Sequence, residues 1–225
     1  MFVSFEGSVG SGKSTLSEHF KTYVAKQHIN ISFYEEPLEL WTNYYVDAYN
    51  RSIFDYYYKD PARWSFTFQF VAMQTRYNTY MQAIKDTSET KSTIFFERSI
   101  FADYIFAKIL YDRQCMNDIE FKIYTNWFKF FYNQLPKPPQ QKFIYIKTSP
   151  EECLKRIKQR NRQSEDGIDL SFLQDLTKYH NKWFNHENID DYVFESSSNM
   201  MVIDGHENFK TNPDNTIEQI LKFIL

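Results

Sequence analysis

The chain has 225 residues, is 42% hydrophobic and 19% aromatic, and carries a net charge of -3. These values suit one α/β domain with a sizeable core rich in Phe and Tyr, and they exclude a basic footprint for nucleic acid or a membrane surface as the main partner. Cys115 and Cys153 form no Cys-x-x-Cys, the five histidines lack metal-ligand spacing, and no apolar run reaches spanning length; a disulfide framework, a thiolate zinc site and a transmembrane segment are therefore excluded, and a reducing compartment fits.

Phe2-Val3-Ser4-Phe5 reads as a first strand, starting so early that no signal or transit peptide is expected before it and a cytoplasmic location is. The strand enters FEGSVGSGKST, in which Gly7, Gly10, Gly12, Lys13 and Ser14 fit G-x-x-x-x-G-K-[ST]. Such glycines let the backbone curl, so that successive N–H groups point inward at phosphate oxygens. The expected phosphate-binding stretch is Gly7, Ser8, Val9, Gly10, Ser11, Gly12, Lys13, Ser14 and Thr15, with Lys13 on the terminal phosphates and the Ser14 hydroxyl on Mg²⁺. Ser14 to Lys26 reads as a helix whose N-terminus favours anions. Only five glycines occur in the chain; three serve this loop, and Gly167 and Gly205 sit at segment ends.

Asn30 to Tyr34 reads as a second strand, ending in Glu35-Glu36-Pro37. The proline keeps Glu36 extended ahead of a helix and aims its carboxylate into the crevice of the phosphate loop, where it can take a hydroxyl proton during phosphoryl transfer. A capping acid at a helix start explains the same pair. A long helix is predicted from about Pro61 to Lys85, with Phe66, Phe70, Met73, Tyr77, Met81 and Ile84 as its core stripe. Gln69 and Arg76, seven residues apart, fall nearly in line on one edge of that stripe, placed to look into a cavity. An ordinary polar margin of an amphipathic helix reads the same way, although a Gln amide can pair with a nucleobase edge.

Thr93 to Phe96 forms a third predicted strand, and Glu97-Arg98 follows at once. Glu97 can serve a metal, and Arg98 adds a fixed cation for an anionic or transferring group; a strand-end ion pair with a neighbouring helix reads the same way. Lys137-Pro138-Pro139 breaks the chain before a fourth strand, Lys142 to Lys147. KRIKQRNRQSEDG then runs from basic to acidic to Gly167, either a mobile flap over ATP phosphates or a solvated helix end. Met200 to Ile203 is a fifth strand. Five short apolar strands alternating with helices predict a five-stranded parallel sheet, buried on both faces and flanked by helices, in an α/β single domain over residues 1–225. Ligands of such sheets lie at the carboxyl ends of the strands.

Together these segments resemble the deoxyribonucleoside kinase family, in the branch that phosphorylates deoxycytidine, deoxyadenosine and deoxyguanosine. The matching stretches are GSVGSGKST, EEPLELW, YYKDPARWSFTFQFVAMQTR, FERSIFADYIFAKILY, IYIKTSPEECLKRIKQRNRQSEDGIDLSFLQ and, more loosely, DGHENF. They stand in family order over nearly the whole chain. The resemblance implies a P-loop kinase fold with a LID at about 156–169, ATP as donor, Mg²⁺ as cofactor and a homodimer. It makes Glu36 the general base on the nucleoside 5′-hydroxyl, held with the 5′-oxygen by Arg98, and puts Glu97 with Ser14 on the metal. Gln69 would pair with the base, and Arg76 with Asp103 would read its polar edge. Tyr58 and Glu165 would grip the 3′-hydroxyl, while Trp41, Phe68 and Phe106 wall the base pocket. Arg160 and Arg162 look like the flap arginines, supported by Arg156. Asp204 to Phe209, Glu207 included, would lie against the donor adenine.

One departure stands out: the family carries an extra residue, commonly Arg, after the Asp matched by Asp103, and here Tyr104 follows directly. A missing residue turns a helix face by about 100°, so Asp103 and Phe106 are not both expected to keep their places. Thymidylate kinases share the FEG…GKST opening, but Glu36-Pro37 suits a hydroxyl acceptor and would repel a phosphate. A nucleotide-dependent switch would carry guanine signatures or effector loops, and none is found.

Overall fold

The computed structural model describes residues 1–87, 92–136, 141–161, 165, 167–189, 199–211 and 213–225. Its centre is β1 (Phe2–Glu6), every residue of which is buried. Around it lie β2 (Ile31–Tyr34), β3 (Thr93–Phe96), β4 (Gln141–Lys147) and β5 (Met200–Asp204), in the order β2-β3-β1-β4-β5. Every pairing is parallel, with Val3 opposite Phe95 on one side and Lys142 on the other. The predicted α/β class and five-stranded parallel sheet flanked by helices hold. Burial on both faces holds only for the inner strands: β2 and β5 are edges, β2 is half-buried throughout, and Val202 of β5 is exposed.

The period-2 alternation of β1 sorts its side chains between two layers. Val3 and Phe5 join Leu16, Phe20 and Val24 of α1 (Lys13–Lys26) and Ile217, Ile220 and Ile224 of α8 (Asp214–Ile224). Phe2, Ser4 and Glu6 turn to the opposite layer. That layer holds α2 (Ile53–Lys59), α3 (Pro61–Thr87), α4 (Ile100–Asp112), α5 (Asp118–Gln134), α6 (Pro150–Arg160) and α7 (Leu170–Phe184). Local chemistry sets the helix starts. Ser52 with Asp55 and Asn117 with Glu120 close capping boxes on α2 and α5, and Ser149 caps α6 with Pro150 in the first turn.

Along α3 the predicted stripe is turned. Met73 is fully buried, but Phe66, Phe70, Tyr77 and Ile84 are half-buried and Met81 is exposed. Phe70 and Tyr77 pack on Phe131 of α5 rather than on the sheet. The buried face is instead mixed, with Ser65, Gln69, Thr75 and Arg76 beside Phe68, Ala72, Met73, Tyr80 and Ala83. Apolar periodicity finds a contact face; it does not say which contact is deepest. Among the described residues, no helix is long and apolar enough to cross a membrane.

Candidate active site

The carboxyl ends of β1, β2 and β3, together with the turn after β5, open into one cavity of about 600 Å³. The loop Gly7–Gly12 forms its floor on one side. Gly10 there has φ +78°, and a Cβ would meet the Cys153 carbonyl oxygen of α6 at 2.6 Å, so the close approach of loop to helix requires glycine. Lys13 Nζ donates to the carbonyls of Gly7 (3.0 Å) and Ser8 (2.7 Å) and to Ser11 Oγ (3.4 Å). Burial, and then the Arg98 cation, pushes the Lys13 ammonium down to about 7. The negative charge of an arriving phosphate would oppose both effects and favour the ammonium.

Across the cavity stands a buried network of charges. Glu36, just beyond β2, receives Arg98 Nε at 3.1 Å and Arg76 NH2 at 2.9 Å on the same oxygen, Oε1. Arg76 Nε also donates to Asp103 Oδ2 at 2.7 Å. Arg98 NH1 donates to the Gly7 carbonyl at 2.7 Å, so one guanidinium touches both the phosphate loop and the carboxylate. Burial works against the charged form of Glu36, but Arg98 and Arg76 outweigh it and hold the carboxyl at about 2. Burial likewise penalises Arg76, and Asp103 and Glu36 more than restore its charge. Asp103 is pushed up by burial against the pull of Arg76. Arg98 also lies 5.1 Å over the Phe106 ring.

Asp103 and Phe106 both line the cavity, against the expectation that they could not keep their places together. Residues i and i+3 of a helix share a face, and here that face of α4 meets the cavity. Trp41 lies in a π-helical turn, Leu40–Tyr44, where Trp41 Nε1 donates to Thr75 Oγ1 at 3.0 Å. Trp41 and Phe68 meet edge to face at 5.4 Å. They wall the cavity beside Tyr58, Gln69 and Glu165. Arg160 pairs with Glu165 at 2.6 Å. Arg156 donates to the Ser11 carbonyl at 3.2 Å and is braced by Glu152 at 3.0 Å.

Val9, Gly10, Gly12, Thr15, Glu207 and Phe209 also line the cavity, whereas Gly7, Ser8 and Ser11 stand behind the loop as acceptors for Lys13. Asp204 does not line it: its carboxylate turns back to cap His206, with the backbone N–H at 2.9 Å and Nδ1 at 2.8 Å. Arg162 and the Pro138-Pro139 break lie outside the described residues, as do 162–164 and 166 of the predicted LID. Sequence reasoning missed Phe54, Tyr57 and Lys210 on the cavity wall, whereas His206 and Asn208 fall within the Asp204–Phe209 stretch it set there. Phe54, Tyr57 and Tyr58 carried a signal, since three- and four-residue steps bring them to one helix face.

Ser14 Oγ donates to Glu97 Oε1 at 2.5 Å, which sets two oxygen donors, one of them anionic, at the cavity edge beside Lys13. Oxygen ligands with one carboxylate suit Mg²⁺, which takes the rest of its shell from water and substrate phosphates. Among the described residues, no cluster of three or more His, Cys, Asp or Glu offers a protein cage for a metal. The pair therefore fits a phosphate-bound ion.

A model of the family described as deoxynucleoside kinase matches residues 3–225. The chain belongs to the deoxynucleoside kinase family. It is 32% identical over 240 residues to deoxycytidine kinase of Bos taurus, covering 99% of this chain and 90% of that one. It is 35% identical over 187 residues to a probable deoxycytidine kinase of fowlpox virus, covering 83% and 72%. Mitochondrial deoxyguanosine kinase of Xenopus laevis is 28% identical over 225 residues, covering 93% and 83%. As a deoxynucleoside kinase, the chain is an enzyme of phosphoryl transfer.

Proposed function

We propose that this kinase moves the γ-phosphate of ATP to the 5′-hydroxyl of deoxyadenosine, deoxyguanosine or deoxycytidine, yielding the 5′-monophosphate in nucleotide salvage. The observation that carries the reading is Glu36, held by Arg98 and Arg76 across the cavity from the Gly7–Thr15 loop. The donor triphosphate lies in that loop, with Lys13, Arg156 and Arg160 around it and Glu207 and Phe209 towards its base. Mg²⁺ held by Ser14 and Glu97 would neutralise phosphate charge.

The nucleoside lies between Glu36 and α3. Gln69 pairs with the base, and Trp41, Phe68 and Phe106 enclose it. Tyr58 and Glu165 hold the 3′-hydroxyl. Glu36 accepts the 5′-hydroxyl proton as transfer proceeds. Its low pKa makes it a weak base, so it serves best late in a loose transition state, when the attacking oxygen has become acidic. Arg98 and Lys13 then stabilise the charge on the moving phosphoryl group. Arg76, fixed by Asp103, presents donors to a base-edge acceptor and takes the room that a thymine methyl needs.

The same reading takes residues 1–225 as one domain with a LID at about 156–169, and the protein as a cytoplasmic homodimer. An exposed apolar stripe on α5, formed by Ile119, Ile123, Trp127 and Phe130 beside Phe70 of α3, supports self-pairing. Acceptor-dependent ADP release across deoxyadenosine, deoxyguanosine, deoxycytidine, thymidine and thymidylate tests the function. Turnover with thymidylate alone, or ADP release independent of acceptor, would sink it.

A further inference from the structure

Glu6 is the last residue of β1 and is wholly buried. Period-2 alternation turns it away from the Val3–Phe5 face, towards the start of α4. There its Oε1 accepts the backbone N–H of Ser99 at 2.9 Å. Ser99 is the N-cap residue of α4, but its own side chain caps nothing. A residue 93 positions away thus takes the N-cap N–H that an acid at the third helical position takes in a capping box, where this helix has Ala102.

Ser99 follows Arg98, and Gly7 follows Glu6. Glu6 holds the backbone beyond Arg98, and the Gly7 carbonyl holds the Arg98 guanidinium at 2.7 Å. Two consecutive residues of the β1 exit therefore grip two consecutive residues of the β3 exit. We infer that Glu6 is a positioning residue for phosphoryl transfer, capping α4 from β1 and so fixing Arg98 against Glu36.

A buried carboxyl is a costly cap. Burial pushes Glu6 up to about 7, against the pull of Ser99 and Arg98. Its second oxygen, Oε2, has no hydrogen-bond partner, nor do the buried hydroxyls of Ser4, Tyr80 and Ser99 in the same layer. The cap does not need the charge, because Oε1 can accept from Ser99 in either protonation state. A glutamine reproduces the neutral form, and its carbonyl keeps the Ser99 bond. A methionine fills a similar volume and supplies no acceptor.

The inference rests on the kinase reading, and its test keeps the two apart. We would measure kcat and KM for nucleoside and ATP, per active site, with thermal melting, for wild type, Glu6→Gln and Glu6→Met. Glu6→Gln is expected to keep kcat within about threefold, whereas Glu6→Met loses about tenfold or more with both KM values nearly unchanged, because a small misplacement of a positioning group acts on the transition state. Glu6→Met is expected to melt close to wild type, since the unpaired Ser99 N–H costs stability while relief of the buried carboxyl returns some.

A Met variant with wild-type kcat overturns the inference. So does a fall in kcat that tracks a fall in melting temperature in both variants, which would mark Glu6 as structural only. Were the Met variant insoluble, Glu6→Asp takes its place. One methylene shorter, it falls short of Ser99 and should lose kcat where Gln keeps it; equal rates in the two would overturn the inference. Wild-type protein without acceptor-dependent turnover would end the kinase reading, and this inference with it.

Discussion

The two sides of the cavity are built on opposite principles. On the acceptor side, Arg76, Asp103 and Arg98 are at most about 5% exposed and are tied to one another or to Glu36. On the donor side Lys13 is buried as well, but Arg156 and Arg160 are 25% and 32% exposed, His206 is 52% exposed, and the glycine loop offers main chain. Fixed, desolvated charges are expensive to bury and are worth keeping only where geometry must be exact to a fraction of an ångström. Half-exposed cations beside a glycine loop cost little and suit a ligand that brings its own charge. Under the proposed function, discrimination would sit in the side chains of the acceptor wall, and donor affinity largely in backbone.

The strongest way to break this contrast is at its centre. Glu36→Gln is expected to lower kcat by on the order of 10²-fold or more while nucleoside still binds, as measured by steady-state kinetics and nucleoside titration. A kcat near wild type would remove Glu36 from the base role. Arg76→Met tests whether the acceptor wall is held by mutual satisfaction. It strands Asp103 and should cost about 3–5 kcal/mol in denaturant unfolding, and Asp103→Ala added to it should recover much of that loss. The double variant should also raise kcat/KM for thymidine relative to deoxycytidine, although absolute rates fall because Glu36 loses a cation. A wild-type enzyme that already prefers thymidine would refute this reading of the pair.

On the donor side, Arg160→Ala should lower kcat by about tenfold or more, with a smaller rise in nucleoside KM. A change confined to nucleoside KM would move Arg160 across the cavity to substrate binding, where its contact with Glu165 already points. The smallest effect lies behind the site. His180 is buried on α7, stacked on Tyr145, with Nδ1 donating to the Leu176 carbonyl at 2.7 Å and Nε2 unpartnered. Burial holds it down to about 3. Between about 3 and its ordinary 6.5 the unfolded chain therefore binds more protons, so stability rises with pH across that window and is lost towards acid. His180→Phe should flatten that slope in urea midpoints taken from pH 4 to 7; an unchanged slope would assign it to other groups.

The phosphate loop, the alternation of five strands with helices and the strand-end position of the acids were all legible, because glycine geometry and strand-terminal position act locally. What escaped was depth and pairing. Gln69 and Arg76 read as a polar margin of α3, yet both are buried along with the apolar residues of that helix. The bond from Arg76 to Glu36 spans 40 residues and that to Asp103 spans 27, and no periodicity encodes either. Asp103 and Phe106 were judged by a residue count against a family pattern, whereas α4 itself returns to the same face after three residues. Asp204 was grouped with its neighbours, but a carboxylate two residues before a backbone N–H turns in to cap it.

The place of β1 at the middle of the sheet has a consequence for how the molecule comes into being. Its partners are β3, which begins at Thr93, and β4, which begins at Gln141. During synthesis the phosphate loop leaves the ribosome before either partner strand, and the strand beneath it gains its second neighbour only once Gln141 and the residues after it have followed. Pairings this distant in sequence are slow to close and leave a strand with an apolar face unpaired meanwhile. The nascent chain must therefore shelter Val3 and Phe5 against α1 alone until β3 and then β4 arrive, and nucleotide-binding competence is acquired late, as the sheet closes around its oldest strand.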